Sequence, residues 1–242
     1  MIILVTNDDG IEAAGIQKLA KMAKQLGEVW IVAPDKQCSA MSQRIHVRGE
    51  LIVQRRKDFP VEGVHAFSVS GTPADCVKVA LLELMPQKPD IVFSGINIGY
   101  NVGQDILYSG TVGAAVEALS NEIPAIAFSS DMNGGYDVVD AYMLSITKDL
   151  LQRPLPANAL WNVNFPGCTA AECKGILEDR VPAKHQYYSD GFTRKEISED
   201  CFSIDIMGIP VTEAAEGTDI KAVMDNYISI GIVRNGILPE YF

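Results

Sequence analysis

Two adjacent carboxylates, Asp8 and Asp9, follow a short apolar run at the start of the chain and precede Gly10. Such a run, closed by turn residues, predicts a buried strand, and open α/β sheets bind ligands beyond the carboxyl ends of their strands. Neighbouring carboxylates repel each other, so a cation is needed to keep both ionised, and Mg²⁺ or Mn²⁺ prefers oxygen ligands. The pair therefore predicts a divalent metal site. The alternative is that one Asp caps the following helix.

Two further polar loops follow later predicted strands. Ser39 lies in the loop that begins at Pro34, and Asn97 and Asn101 lie in a glycine-rich loop over residues 95–105. Both loops can meet the first strand at one edge of the sheet, where an amide oxygen could bind a cation or a hydroxyl. Asn and Gly are equally typical of ordinary turns, but structureless loops of this length are more often functional.

The segment Ser109-Gly110-Thr111 directly precedes a run of small apolar residues that predicts a helix over 111–119. The first amides of a helix have no partner within it and lie at the positive end of its dipole, and Ser and Thr hydroxyls add donors. The segment therefore predicts a phosphate cradle. The simpler alternative is that Thr111 only caps the helix.

The elements that must position these residues alternate along the chain. Predicted strands are the run before Asp8, 28–33, 90–94, 125–128, 160–165 and 227–233, with a hairpin or edge region over 46–55 and 64–69; predicted helices cover 16–26, 72–84, 111–119 and 138–151. This alternation indicates an α/β fold, three-layered and Rossmann-like, with a mostly parallel sheet and helices on both faces. Residues 180–205 are polar and helix-poor, which predicts an extended hairpin. We expect a single domain over 1–242, with an oligomerisation arm around 180–242.

The composition of the chain limits the classes of partner that it can bind. The chain has 20 Lys and Arg against 31 Asp and Glu, a formal charge of −11, which disfavours binding to nucleic-acid polymers or anionic membranes. We expect no signal peptide and no membrane span, and hence a cytoplasmic protein, because no apolar stretch approaches about 18 residues. The five cysteines are scattered and odd in number, which favours reduced thiols, including the neighbouring Cys168 and Cys173.

Five sequence blocks together resemble one family. They are ILVTNDDG, APDKQCSA, SGINIGYNVGQDILYSGTVGAA, NVNFP and GTDIKAV, in this order along most of the chain, and they are similar to SurE, the stationary-phase survival protein family. The resemblance implies a divalent-metal-dependent phosphatase of nucleoside 5′-monophosphates, with 3′-monophosphates and short polyphosphate as further possible substrates. It also implies an α/β core and a C-terminal arm used in homodimer or homotetramer assembly.

The resemblance also implies residue roles. Asp8, Asp9, Ser39 and Asn97 would hold one Mg²⁺ or Mn²⁺ per subunit, and Asn101 with Ser109, Gly110 and Thr111 would surround the phosphate. Asp8 and Asp9 are the candidate catalytic residues, with Asp8 the candidate base.

The chain departs from the family at two places. Ser42-Gln43-Arg44 stands where many members have Gly-His-Ser, and Ser229–Val233 replaces a segment often followed by His. A histidine general acid is therefore not carried over. We interpret His46, His65 and His185 as structural or surface residues.

Three other functions compete with this one. Phosphatases that form an aspartyl phosphate commonly separate their carboxylates by one residue, whereas Asp8 and Asp9 are adjacent. A phospho-receiver domain needs about half this length and a Lys on a later strand, which 125–130 lacks. A non-catalytic sensor of metal and nucleotide remains as the alternative.

Overall fold

A sheet of nine strands lies at the centre of the computed structural model, which describes residues 1–133 and 135–238. The strands are β1 (Ile2–Thr6), β2 (Glu28–Pro34), β3 (Val53–Arg55), β4 (His65–Val69), β5 (Ile91–Ile98), β6 (Ala125–Ser130), β7 (Ala159–Phe165), β8 (Ile176–Arg180), β9 (Tyr188–Ser198), β10 (Cys201–Pro210) and β11 (Ile228–Arg234). The order in the sheet is β3-β4-β2-β1-β5-β6-β7-β11-β8, and β9 pairs only with β10. From β4 to β7 the neighbouring strands are parallel.

Helices cover both faces of this sheet. They are α1 (Ala14–Ala23), α2 (Pro73–Val79, continued by a π-helical turn over Ala80–Leu84), α3 (Gly110–Leu119), α4 (Asp137–Leu150) and α5 (Asp219–Met224). One core cluster contains α1 and α4, and a second, on the other face, contains α2 and α3. The three-layer α/β prediction is confirmed. None of the described helices is long and apolar enough to cross a membrane.

The central strand β1 is apolar because both of its faces are covered. Ile3 and Val5 belong to the core under α1 and α4, whereas Leu4 belongs to the core under α2 and α3. A strand buried on both faces loses the alternation of polar and apolar residues. The first polar side chains that the strand can present to a ligand therefore come where it ends.

The topology places a crevice at that end. From β1 the chain moves to β2 and β4 on one side and then returns to β5 on the other side of β1. Ligands of open α/β sheets bind where the strand order reverses in this way, outside the carboxyl ends of the strands. The end of β1 and the end of β5 are therefore the two edges of the candidate site.

Strand β5 is longer than the predicted 90–94. It continues to Ile98, with an irregular register between Ser94 and Asn97, and it pairs with Ser129 and Ser130 of β6. The glycine-rich sequence predicts a loop here, but β6, which continues to Ser130, supplies backbone partners that hold this segment as a strand. Pairing with a neighbouring strand outweighs local preference in such segments.

The C-terminal part divides into a hairpin and a return to the sheet. β9 and β10 form the predicted antiparallel hairpin, over 188–210 rather than 180–205, whereas β11 pairs antiparallel with β7 and parallel with β8. Strand β8 was not predicted, because its polar sequence resembles a surface loop. Within the described part of 180–242, therefore, only β9 and β10 extend from the main sheet.

Candidate active site

Asp8 lies immediately beyond β1 and is 3 % exposed. Thr111, the second residue of α3, donates its hydroxyl hydrogen bond to Asp8 Oδ1 at 2.5 Å. The backbone N–H of Cys38 donates to the Asp8 carbonyl at 2.7 Å, which joins the loop after β2 to the same residue. Three chain segments that are far apart in sequence therefore meet at Asp8.

Asp9 is held from the other side of the crevice. The backbone N–H of Ile98, at the end of β5, donates to Asp9 Oδ2 at 3.0 Å, and Gln37 Nε2 donates to Oδ1 at 3.4 Å. Asp9 thus connects β1 to β5, while Asp8 connects β1 to α3. The two predicted carboxylates are fixed in different directions by different elements.

The N-terminus of α3 lies directly against Asp8. Ser109 caps the helix, since its Oγ accepts from Val112 N at 3.0 Å, whereas Thr111, the capping residue of the alternative prediction, is the second residue of α3. A Cβ on Gly110 would lie 2.8 Å from Asp8 Cβ and 3.2 Å from the Cys38 carbonyl oxygen, so only glycine allows this approach. The positive end of the α3 dipole and its first amides therefore lie beside the carboxylate pair.

The electrostatics of the pair fit a bound cation. Burial raises the pKa of Asp8 to about 6, and the charge of Asp9 adds to this shift while the Thr111 hydrogen bond opposes it. Burial also raises the pKa of Asp9, against the hydrogen bonds from Ile98 and Gln37. A divalent ion between the two carboxylates would favour their ionised forms and reverse both shifts.

Buried side-chain oxygens without partners lie at the end of β1 and in the middle of β5, where Ser94 pairs with Thr6. Thr6 Oγ1, Asn7 Oδ1 and Ser94 Oγ are buried and have no hydrogen-bond partner among the described residues. The amide nitrogen of Asn7 is used, since it donates to the Gly10 carbonyl at 2.9 Å. Unsatisfied buried oxygens are costly, and a hydrated cation in the crevice would supply partners for them.

The other two predicted metal ligands lie on the same two edges. Asn97, in β5, is half-buried, and its Nδ2 donates to the Gly99 carbonyl at 2.8 Å, which leaves Oδ1 as the atom a cation would take. Ser39 is exposed and follows Cys38, the residue bonded to the Asp8 backbone. In the described part of the chain, no three His, Cys, Asp or Glu side chains form a metal-binding group, so a cation here would need amide or hydroxyl oxygens as well.

Asn101, the remaining predicted phosphate residue, is held by hydrogen bonds to β6 and β7. It is buried, and its Nδ2 donates to Ser129 Oγ at 2.7 Å. Its backbone N–H donates to Asn164 Oδ1 at 2.9 Å, and its carbonyl accepts from Asn162 Nδ2 and Asn164 Nδ2. These contacts anchor the glycine-rich loop to β6 and β7. Asn162 and Asn164 were not predicted as site residues, although their spacing of two places them on one face of a strand.

The histidines have structural contacts. His46 Nδ1 lies 2.6 Å from Asp75 Oδ2, and Asp75 also accepts from the backbone N–H and the hydroxyl of Thr72 at the start of α2. His65 stacks on Trp30 with ring centroids 4.2 Å apart. Gln43 Nε2, in the loop after β2, donates to Glu117 Oε2 at 3.0 Å. These contacts agree with the interpretation of the histidines as structural or surface residues.

Comparison with known proteins gives consistent matches. The family described as Survival protein SurE matches residues 3–187. The protein named 5′-nucleotidase SurE from Clostridium botulinum (strain Kyoto / Type A2) is 38 % identical over 95 % of this chain and 91 % of its own length. 5′-Nucleotidase SurE 1 from Thermus thermophilus is 41 % identical over 95 % of this chain and 90 % of its own length. The crystal structure of the SurE protein from Aquifex aeolicus superposes with a TM-score of 0.81 at 32 % identity, covering 97 % of this chain and 93 % of that one.

Proposed function

The chain belongs to the SurE family, and we propose that it is a divalent-metal-dependent phosphatase that hydrolyses nucleoside 5′-monophosphates to nucleoside and phosphate. The single observation that carries the proposal is the contact of Asp8 with the first turn of α3. This contact places a carboxylate pair suited to a cation beside a helix N-terminus suited to a phosphate. The two groups needed to bind and activate a phosphate monoester therefore adjoin each other.

Four residues would hold the metal in this proposal. Asp8 and Asp9 supply charge, Asn97 supplies its amide oxygen and Ser39 its hydroxyl, a set of hard oxygen ligands that suits Mg²⁺ or Mn²⁺. When bound, the ion would polarise the phosphoryl group and lower the pKa of a water molecule. We propose one such ion per subunit.

The start of α3 would bind the phosphate. The N–H group of Gly110 is the first of the helix and has no partner within it. The N–H group of Thr111 also faces the Asp8 carboxylate, and Ser109 Oγ already accepts from Val112 N. Negative charge that develops on the phosphoryl oxygens would be stabilised by these amides and by the helix dipole. Ser109 and Thr111 thus contribute mainly by shaping and capping this turn, and Thr111 also orients Asp8.

Hydrolysis requires a proton to leave the attacking water and another to reach the nucleoside. Water adds to phosphorus, the bond to the nucleoside O5′ breaks, and the nucleoside leaves with a proton. Asp8 is the candidate to accept the proton from water, because it is buried beside the phosphate cradle. In the absence of the loop histidine, solvent would protonate the leaving nucleoside.

We also propose that the β9–β10 hairpin mediates homodimer or homotetramer assembly. It carries exposed apolar side chains along both strands, including Phe192, Ile197, Ile204, Ile206 and Ile209. An isolated two-stranded hairpin is marginally stable, and exposed apolar patches of this kind mark interfaces. A second copy of the chain is the occupant that the SurE resemblance implies.

Phosphate release tests the proposed function. The protein is stripped with EDTA and then given Mg²⁺, Mn²⁺ or no metal, with 5′-monophosphates, 3′-monophosphates and short polyphosphate as substrates. We expect metal-restored release from 5′-monophosphates. Binding of nucleotide without release under every metal condition would instead support the sensor alternative.

A further inference from the structure

Two cysteines, Cys168 and Cys173, lie together in the loop between β7 and β8, and both are partly exposed. Their side chains pack against the same core, the one under α1 and α4. Burial raises the pKa of the Cys168 thiol, and a hydrogen bond between the two cysteine side chains adds to this shift. The two sulfur atoms are therefore neighbours at the surface of the protein.

The backbone between the two cysteines forms one closed turn. The N–H groups of Glu172 and Cys173 both donate to the Thr169 carbonyl, at 3.1 and 3.0 Å. The Glu172 carboxylate in turn accepts from the N–H of Thr169 at 3.0 Å and from its hydroxyl at 2.8 Å. This turn keeps the ends of the segment close together, which a disulfide within one chain requires.

The other three cysteines differ from this pair. Cys38 and Cys76 are only 4 % and 0 % exposed, and burial raises the pKa of each thiol. Cys201 is exposed, but it lies at the start of β10, in the hairpin. Exchange with a dissolved disulfide requires a thiol that the disulfide can reach, and an internal disulfide requires a second thiol beside it. Of the five cysteines, Cys168 and Cys173 meet both conditions.

The pair is connected to the glycine-rich loop of the candidate active site. Gly167, next to Cys168, donates its N–H to the Tyr100 hydroxyl at 2.9 Å. Gly167 also packs against Asp131, directly after β6, because a Cβ on this glycine would lie 2.6 Å from Asp131 Cβ. Tyr100 is buried and stands three residues after Asn97, the proposed metal ligand. A displacement of Cys168 would therefore reach the segment that holds Asn97.

The two ends of the turn are held differently. The residues that follow Cys173 are fixed to the sheet, since the N–H of Ile228 in β11 donates to the Gly175 carbonyl at 2.9 Å. A covalent bond draws two sulfur atoms closer than a hydrogen bond does, so one end of the turn must move when the disulfide forms. We expect Cys168 to move, because its neighbour Gly167 is joined to a tyrosine hydroxyl rather than to a strand.

We infer that Cys168 and Cys173 form a reversible redox site, in which a small dissolved disulfide such as oxidised glutathione converts their two thiols to one disulfide. This disulfide weakens the hydrogen bond from Gly167 to Tyr100 and lowers turnover at the candidate active site. The effect on turnover rests on the proposed function, whereas the redox site does not.

The reaction proceeds by two exchange steps. The thiolate of Cys173 attacks one sulfur of the small disulfide, and the first small thiolate leaves. Cys168 then attacks the Cys173 sulfur of this mixed disulfide, and the second small thiolate leaves. The protein loses two electrons and two protons, which the small disulfide gains as it becomes two thiols. Cys173 attacks first because the raised pKa of Cys168 leaves less of that residue as thiolate.

Mass spectrometry tests the site in wild-type protein equilibrated with reduced and oxidised glutathione. Trypsin releases residues 149–174 as one peptide, which contains Cys168 and Cys173 and no other cysteine. As the share of oxidised glutathione rises, we expect this peptide to lose two hydrogen atoms, and dithiothreitol should restore them. In Cys168→Ser, Cys173 should carry glutathione instead. Glutathione on both cysteines of the wild-type peptide, or free thiols there while Cys201 is modified, would overturn the site.

Two readouts test the link to Tyr100. Both compared proteins carry Cys201→Ser, because Cys201 is exposed on the hairpin and can join two chains, and the control also carries Cys168→Ser. Oxidation of the first protein should speed hydrogen exchange at the Gly167 amide about twofold to tenfold, the effect of weakening one neutral hydrogen bond. The kcat/KM for AMP should fall by a similar factor, and the control should change in neither.

The outcomes separate this inference from the proposed function. Exchange at Gly167 that oxidation leaves unchanged would overturn the link to Tyr100, whether or not the protein hydrolyses AMP. Faster exchange with unchanged hydrolysis of AMP would overturn the effect on turnover. Faster exchange in a protein that releases phosphate from no monophosphate would support the link and overturn the nucleotidase.

Discussion

The hydroxyl of Thr111 is bonded to Oδ1 of Asp8, although 103 residues separate them in the sequence. The bond connects the end of β1 to the first turn of α3. It therefore fixes the distance between the carboxylate proposed to bind metal and the amides proposed to bind phosphate. A change in this bond should affect catalysis more than folding, because it positions one carboxylate rather than filling a core.

Thr111→Val removes this hydrogen bond while it keeps the shape of the side chain. A hydrogen bond to a charged group contributes about 1.5–3 kcal/mol, so we expect kcat/KM for AMP to fall about tenfold to a hundredfold. Thr111→Ser keeps the hydroxyl and should retain most of the activity. Wild-type kcat/KM in Thr111→Val, measured by phosphate release, would show that the bond does not matter for the reaction.

Gly110→Ala tests the close approach of α3 to Asp8. The added methyl group would meet Asp8 Cβ at 2.8 Å and the Cys38 carbonyl at 3.2 Å, so the helix or the carboxylate must move. Overpacking of this kind costs about 1–3 kcal/mol, and we expect KM for AMP to rise about tenfold. Gly236→Ala is the matched control, because a Cβ there has no neighbour within 4 Å. Equal KM values for the two variants would contradict the assignment of this turn as the phosphate cradle.

Asp75 should make stability depend on pH. Burial alone would raise the pKa of Asp75, but the hydrogen bonds from His46 and Thr72 outweigh it, so the pKa lies below its ordinary value. Because the pKa of Asp75 is lower in the folded protein, the ionised carboxylate stabilises the folded state at pH values above the unfolded pKa of about 3.9. This stabilisation is lost as the pH falls through the pKa of the folded protein.

Urea unfolding of the wild type and of Asp75→Asn at several pH values measures this contribution. The difference in the free energy of unfolding should stay constant from neutral pH to about pH 5 and shrink below that. A difference that does not change between neutral and acidic pH would exclude a role for the ionised carboxylate.

The hairpin proposal predicts a change in oligomeric state. Ile204→Asp with Ile206→Asp places two charges on the exposed apolar part of β10 and should convert the assembly to a monomer, because burying an unpaired charge is costly. Light scattering after gel filtration measures the mass. Leu82→Asp, an equally drastic change at an exposed leucine outside the hairpin, should leave the mass unchanged. A wild-type protein that is already monomeric would contradict the proposal.

The sequence was sufficient to predict the features that depend on local pattern. Asp8 and Asp9 follow a strand that is apolar as far as Thr6, and Ser109-Gly110-Thr111 opens a helix of small residues, so both positions could be predicted from the sequence. The alternation of strands and helices likewise predicted the parallel, three-layered sheet.

Features that depend on distant partners could not be predicted. The sequence from Gly95 to Ile98 is typical of a loop, and only the register with β6 makes it strand. The role of Asn101 at the phosphate stays a prediction, but its hydrogen bonds to Asn164 and Ser129 could not be read from the sequence. The Thr111–Asp8 bond is equally nonlocal, so the capping preference of Thr gave no sign of its position beside the carboxylate.

The most direct test of the central claim is a Mn²⁺ titration of the wild type and of Asp9→Asn, followed by electron paramagnetic resonance, with AMP hydrolysis measured on the same samples. We expect the wild type to bind one Mn²⁺ per subunit and to release phosphate as the ion binds. Asp9→Asn should lose both Mn²⁺ binding and phosphate release while its fold stays intact. Full turnover of AMP by Asp9→Asn, or by metal-free wild type, would contradict the proposed metal-dependent reaction.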